Sequence, residues 1–141
     1  LILSLMASCI DQRLIALRGD GLQKRDFFSV DDLCFLIFQL MTSPQSIRSD
    51  VVNVASGVSY AGKEVASLVE KFMGKSPRIE YKPDSFKSDV LNSSLDRSKL
   101  DQLLLEIECK RSLFQPLENG LKKIDFAEFR KMCKNFKQLS F

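Results

Sequence analysis

Apolar positions along the chain come in short bursts whose period switches between two and three to four residues, with polar turns between them. The first ten residues, LILSLMASCI, are mostly apolar and predict a heavily buried helix over residues 1–11. They are too few to span a bilayer as a helix, and they lack the basic lead of a signal peptide. The stretch reads as a helix cut at its front. A short strand, IALR, follows at residues 15–18, and Gly19-Asp20-Gly21 makes a turn. RDFFSV at residues 25–30 is short, aromatic and β-favouring, which predicts a strand.

Ser29 or Asp31 can cap the next helix, which runs to about Met41 with Asp31 and Asp32 in its first turn. Leu33, Leu36, Ile37 and Leu40 mark one face, and Cys34, Phe35 and Phe38 make most of the remainder apolar, so this helix should be buried on more than one side. VVNVAS at residues 51–56 reads as a strand ended by Gly57, and Ser59 as the cap of a helix that Gly74 closes. RIEYK at residues 78–82 alternates as a strand should. Residues 83–96 predict an irregular surface segment. Asp96 or Ser98 starts a short helix, and one last helix carries Leu117, Leu121, Ile124, Phe129, Met132, Cys133 and Phe136 on one stripe. Strands and helices alternate, but the strands are few and make a thin sheet, as if more of it lay elsewhere.

A length of 141 residues with 45% hydrophobic content fits one domain with a modest core. The net charge of +3 is too small to imply nucleic acid or a membrane surface as partner. Eight basic residues between Lys110 and Lys137, opposed by Glu118, Asp125 and Glu128, read as the solvated face of a terminal helix. Cys9, Cys34, Cys109 and Cys133 are far apart in sequence with apolar neighbours, which predicts buried, reduced, metal-free thiols and a cytoplasmic location. The two apolar helices, 1–11 and 31–41, predict self-association or marginal stability in isolation.

The candidate chemistry is sparse. Histidine is absent, which removes the commonest general base. The six glycines include Gly57 and Gly62 in a strand–loop–helix stretch but no dinucleotide-binding triad. Tyr60 and Lys63 straddle a helix start, so they do not make a catalytic pair one turn apart. Asp31 and Asp32 are adjacent and do not face each other. Arg25 stands out. Its planar fork could clamp a phosphate, or it could pair with Asp20 or Asp26.

Four stretches taken together carry a resemblance. They are GDGLQKRDFFSVDD from Gly19 to Asp32, NVASG from Asn53 to Gly57 with the helix from Gly62 to Gly74, Asp89-Val90 with LDRSKL from Leu95 to Leu100, and PLENGL from Pro116 to Leu121. In order and spacing they resemble the C-terminal third to half of the extended short-chain dehydrogenase/reductase family, the NAD-dependent epimerases, dehydratases and 4-keto reductases of nucleotide-activated sugars. The resemblance implies an α/β fold class: the C-terminal substrate-binding portion of a Rossmann-type enzyme, with short strands and about five helices. Residues 1–141 would be that domain, inactive alone. The partner would be a missing N-terminal Rossmann domain that holds NAD or NADP, with no cofactor bound by this chain itself.

The resemblance further implies a nucleoside-diphosphate sugar as ligand, Arg25 on one of its phosphates, and Asp89 in the nucleotide-binding segment. Many members carry an arginine three residues before that aspartate. Here Phe86 stands there, and Lys82 or Lys87 would have to substitute. A homodimer is compatible with the family. The alternative is a non-catalytic binding or interaction protein that keeps the fold.

Overall fold

A computed structural model describes residues 1–43, 51–82, 91–107, 109 and 117–138. The first helix, α1 (Ile2–Asp11), carries the most apolar segment of the chain. Leu5, Met6, Ala7, Ser8 and Cys9 are all buried in it. Gln12 takes a left-handed conformation that ends the helix and turns the chain straight into β1 (Leu14–Arg18). β2 (Lys24–Asp26), α2 (Val30–Thr42), β3 (Ser59–Ala61), α3 (Gly62–Met73) and β4 (Arg78–Lys82) follow. The remaining described elements are α4 (Ser98–Glu106), α5 (Leu117–Lys122) and α6 (Phe126–Gln138).

β1 pairs with β4 in parallel, in register from Leu14 opposite Arg78 to Arg18 opposite Lys82. Parallel neighbours require a crossover, and here it contains α2, the β2–β3 pair and α3. α1 and α3 pack on each other and bury Val65, Ala66 and Val69 against Leu5, Met6 and Cys9. Leu121, Phe129 and Cys133 from α5 and α6 close the same core. A second, smaller core joins Leu36 of α2 to Leu100 of α4, with Phe35, Leu40, Val52 and Val54 around them.

The expected fold class is corrected by this topology. The α/β character holds, but the chain is not merely a substrate-binding portion devoid of a Rossmann-type unit. It contains a parallel strand pair with a helical crossover, the building unit of such folds. Six helices are described rather than about five, because the expected last helix is two. Asp125 explains the break: its Oδ1 accepts from the amides of Ala127 at 2.8 Å and Glu128 at 3.2 Å, capping α6 and so ending α5 before it.

Other differences have equally local causes. Residues 51–56 join no ladder among the described residues, and β2 pairs with β3, whose Ser59 is read from sequence as a helix cap. Ser59 therefore caps nothing and donates to the carbonyl of Ser93. The helix start is held by Glu64, whose carboxylate reaches back to accept the amide of Ala61 at 2.6 Å. The strand at 25–30 stops at Asp26, and Phe27 packs against the main core. α2 buries only Asp32 and Leu36, while Phe38 and Met41 are 60% and 80% exposed, so it is not covered on several sides within the described residues.

Ser8 ties the parallel pair to α1. Its side chain is fully buried. The hydroxyl donates to the carbonyl of Arg13 at 2.6 Å and accepts from the amide of Arg78, which begins β4, at 2.9 Å. Ser8→Ala leaves two buried backbone groups without that partner, so stability should fall by about 1–3 kcal/mol. Urea unfolding should show a lower midpoint with an unchanged slope. The exposed Ser67, whose hydroxyl only bonds back to Lys63, is the control: Ser67→Ala should stay within about 0.5 kcal/mol of wild type.

Candidate functional site

In open α/β sheets the crevice outside the carboxyl ends of the strands is where ligands bind. Here a cleft of about 120 Å³ opens beside the carboxyl end of β1. Leu17 and Arg18 from the strand end, Gly21 and Gln23 from the turn, and Arg25 from β2 line it. Phe27, Tyr60 and Gly62 complete most of its wall.

The antiparallel register of β2 with β3 decides which side chains share a face. Arg25 stands opposite Tyr60, and Asp26 opposite Ser59. Side chains alternate across a strand, so Arg25, Tyr60 and Phe27 project to one side and Asp26 to the other. Phe27 and Tyr60 meet edge to face with ring centroids 6.4 Å apart, and both pack on the main core. The tyrosine hydroxyl accepts the amide of Leu117 at 3.4 Å. Arg25 is therefore carried on a braced aromatic wall. Its guanidinium donates to the carbonyl of Lys24 at 2.8 Å and, at a long 3.5 Å, to the side-chain oxygen of Gln23.

The acids considered as partners for Arg25 are engaged with backbone. Asp20 accepts the amide of Leu22 at 2.9 Å. Asp26 accepts the amides of Ser56 and Gly57, each at 3.0 Å, and so holds the loop after residues 51–55 against β2. Arg97 braces that loop from the other side: it donates to the carbonyl of Ser56 at 2.6 Å and pairs with Asp101.

The turn before Arg25 is equally fixed. Gly19 and Gly21 both have positive φ, 63° and 76°. Gly21 also sits beneath the Tyr81 ring at the end of β4, so closely that an added Cβ would lie 2.6 Å from a ring carbon. Its carbonyl accepts the amide of Lys63 at 3.0 Å, and the Lys63 ammonium lies 5.2 Å from the centre of the Tyr81 ring. Lys63 thus serves the turn, and Tyr60 the cleft wall. Asp31 and Asp32 part company, one exposed and 3.9 Å from Lys123, the other buried.

Of the four residues expected to bind substrate, Arg25 lines the cleft. Lys82 is exposed at the last position of β4, beside Arg18 in register. Lys87 and Asp89, and Phe86 with them, lie outside the described residues. Sequence reasoning missed Arg18 and Tyr60 as cleft residues. The signal for Tyr60 is its cross-strand register with Arg25, which only the pairing of β2 with β3 sets.

Residues 1–55 match the model of the NAD dependent epimerase/dehydratase family. Among curated proteins, the uncharacterized UDP-glucose epimerase YtcB of Bacillus subtilis (strain 168) is 28% identical over 95 residues, 67% of this chain and 29% of that protein. Among solved structures, MoeE5 in complex with UDP-glucuronic acid and NAD aligns with a TM-score of 0.73 at 23% identity, over 93% of this chain and 41% of that one. The UDP-glucuronic acid 4-epimerase of Bacillus cereus, in complex with UDP-glucuronic acid and NAD, gives 0.74 at 22% identity, over 92% and 39%. The UDP-glucose 4-epimerase of Thermotoga maritima gives 0.68 at 26% identity, over 90% and 38%. The chain thus spans about two fifths of the length of these structures and under a third of the curated relative.

The family-model match is confined to residues 1–55, and the aligned structures show that the chain shares their Rossmann-type α/β fold. They also correct four expectations. The family-model match starts at residue 1, and the NAD complexes align over 92–94% of the chain, across the parallel α/β unit. The reading as a C-terminal part lacking any Rossmann-type unit is therefore not kept. With it go the missing Rossmann domain as a necessary partner, the inactive substrate-binding role, and the absence of a cofactor from this chain.

Two variants test how the site is built. Gly21→Ala places a side chain at positive φ and against Tyr81, which should cost about 1–3 kcal/mol and shift the turn. Removing the ring as well, in Gly21→Ala/Tyr81→Ala, should recover the steric part but not the backbone strain, as thermal melts would show. Asp26→Ala should lower stability by about 1.5–3 kcal/mol, since it strips a charged acceptor from two amides. Amide exchange should then quicken at Ser56 and Gly57, and an unchanged rate there would refute the capping role.

Proposed function

We propose that the cleft beside β1 receives the phosphate-bearing part of a nucleoside-diphosphate sugar, in a protein acting as an NAD-dependent nucleotide-sugar epimerase, dehydratase or reductase. The observation that carries this reading is the shared face of Arg25, Tyr60 and Phe27. It puts one guanidinium on an apolar, braced wall at the carboxyl end of a parallel strand. A guanidinium fork suits phosphate oxygens, and the aromatic wall keeps water from weakening the contact. Arg25 binds and orients, and Phe27 and Tyr60 fix its direction. Lys82, Lys87 and Asp89 belong to the same proposal on sequence grounds.

NAD enters through the aligned structures, which are NAD complexes. The described residues offer its pyrophosphate no strand that runs through a glycine-rich turn into a helix, because β1 passes through Gly19–Gly21 into the strand β2. The cleft is therefore assigned to the sugar nucleotide. A homodimer and a cytoplasmic location complete the reading. Cys9, Cys34, Cys109 and Cys133 are free thiols, and burial above all raises the pKa of the Cys9 thiol, which keeps it protonated and inert. No described helix is long and apolar enough to cross a membrane.

Calorimetric titration with UDP and with UDP-glucose tests the proposal. Wild type should bind both, and Arg25→Ala should weaken each by about tenfold to hundredfold, the worth of one charge-assisted phosphate contact. Melting temperature should move little. A variant that binds normally but melts earlier would show that Arg25 serves the fold and not the ligand.

A further inference from the structure

We propose that the exposed stripe of α2 is the surface through which two copies of this chain pair, helix against helix in antiparallel order. The inference deepens the homodimer of the reading above and does not depend on the sugar nucleotide. Val30, Cys34, Ile37 and Met41 follow one another at steps of four, three and four residues, the spacing of a coiled-coil seam. All four lie on the solvent side of α2, opposite the buried Asp32 and Leu36. Val30 and Ile37 are 68% and 47% exposed, and Cys34, expected from sequence to be buried, is exposed as well. Phe38 widens the stripe on one side. Leu36 against Leu100 holds the helix from behind, so the seam is formed before any partner arrives, which lowers the ordering cost of association.

The stripe complements itself. Laid antiparallel about a two-fold axis between Cys34 and Ile37, Cys34 of each copy meets Ile37 of the other, and Val30 meets Met41. Charge selects this order. Asp31 and Asp32 are the only charges of the helix, both in its first turn, and Asp32 is buried. A parallel pair would set the two Asp31 carboxylates side by side and bring the two positive helix ends together. The antiparallel pair separates the carboxylates by about 14 Å along the axis and sets each helix start beside the other's end. No charge lies on the seam itself, in keeping with the centre of an interface. The five exposed residues offer on the order of 500 Å² of apolar surface per copy, so two copies together bury about 1,000 Å², the lower bound of a specific interface. The pair is therefore weak and reversible, forming at micromolar concentrations.

Sedimentation equilibrium on the 141-residue chain tests the pairing. Wild type should pass from monomer to dimer as its concentration rises through the micromolar range. Ile37→Glu puts a charge in the middle of both faces and should raise the dissociation constant about thirtyfold or more, and Met41→Glu should act in the same direction. Leu3→Glu, the same charge on an exposed apolar residue of α1, should leave the dimer intact. All three side chains are exposed, so circular dichroism should show every variant folded. The Cys34 thiol gives a second reading: its reaction with a thiol reagent should slow as wild-type concentration rises and stay fast in Ile37→Glu. Val30→Cys and Met41→Cys chains, each also carrying Cys34→Ser, should form the mixed disulfide on oxidation together, and a preference for like-with-like disulfides would overturn the antiparallel pairing. A dimer that survives both α2 variants would put the interface elsewhere and leave the homodimer standing. Loss of the dimer in Leu3→Glu as well would show unspecific apolar association and overturn the proposal. A wild type that stays monomeric overturns both the homodimer and the α2 pairing, while the UDP titration still decides the cleft on its own.

Discussion

The pairing of β2 with β3 is short, three residues on each side, yet the site depends on its register. A slip of one residue would exchange the faces of Arg25 and Asp26. The guanidinium would then meet the loop at Ser56 and Gly57, and the carboxylate would enter the cleft beside Phe27 and Tyr60. Three residue pairs would not fix a register by ladder bonds alone. Asp26 supplies what they lack, because its two oxygens each take an amide of that loop. On the other side of β2, a bridge between Lys24 and Asn92 adds two backbone bonds, from Lys24 to Leu91 and from Ser93 to Lys24. The residue that fixes the strand and the residue that lines the cleft are therefore neighbours on opposite faces.

The parallel pair is secured in a comparable way. β1 and β4 run side by side for five residues, and parallel pairing is slightly weaker per residue than antiparallel. Ser8 reaches from α1 to Arg13, the residue before β1, and to Arg78, the first residue of β4, and α1 is itself clamped to α3 through the largest core. The helix and the starts of both strands thus share one buried hydroxyl. The carboxyl ends of the strands are left to the turn residues and to the cations, which is where a site can vary without disturbing the core.

Much of this was legible in the sequence. The helices α1, α2, α3 and α4 and the strands β1 and β4 follow from periodicity, and Gly74 ends α3 with a positive φ as its position after the last apolar residue implies. Arg25 could be singled out because a guanidinium after a D-G turn, at the start of an aromatic strand, suits a phosphate as well as it suits Asp20 or Asp26. What could not be read was whatever depends on partners distant in sequence. Residues 51–56 have the composition of a strand, yet they join no ladder among the described residues, and β2 pairs with Ser59–Ala61. Tyr60 looked like a residue at a helix start until its opposite number was known. Arg18 looked like the end of a strand until β4 put Lys82 beside it. The break before α6 was there to be seen, since Asp125 followed three residues later by Glu128 is a helix-start pattern, but the continuous apolar stripe masked it.

Many phosphate sites draw on a helix N-terminus, whose unpaired amides and dipole attract the anion without any charged side chain. This cleft is built differently. β1 leads into a turn and then another strand, and the helix nearest the turn, α3, has its start engaged: the Lys63 amide bonds Gly21, and Glu64 bonds back to Ala61. On the proposed reading, attraction for a phosphate would therefore come from a side-chain cation, and Arg25 is the one whose strand register places it beside Tyr60 at the cleft. Arg25 is half-buried, and salt screens a partly buried charge less than an exposed one. Binding through Arg25 should thus lose less affinity with added salt than a contact made by exposed cations alone.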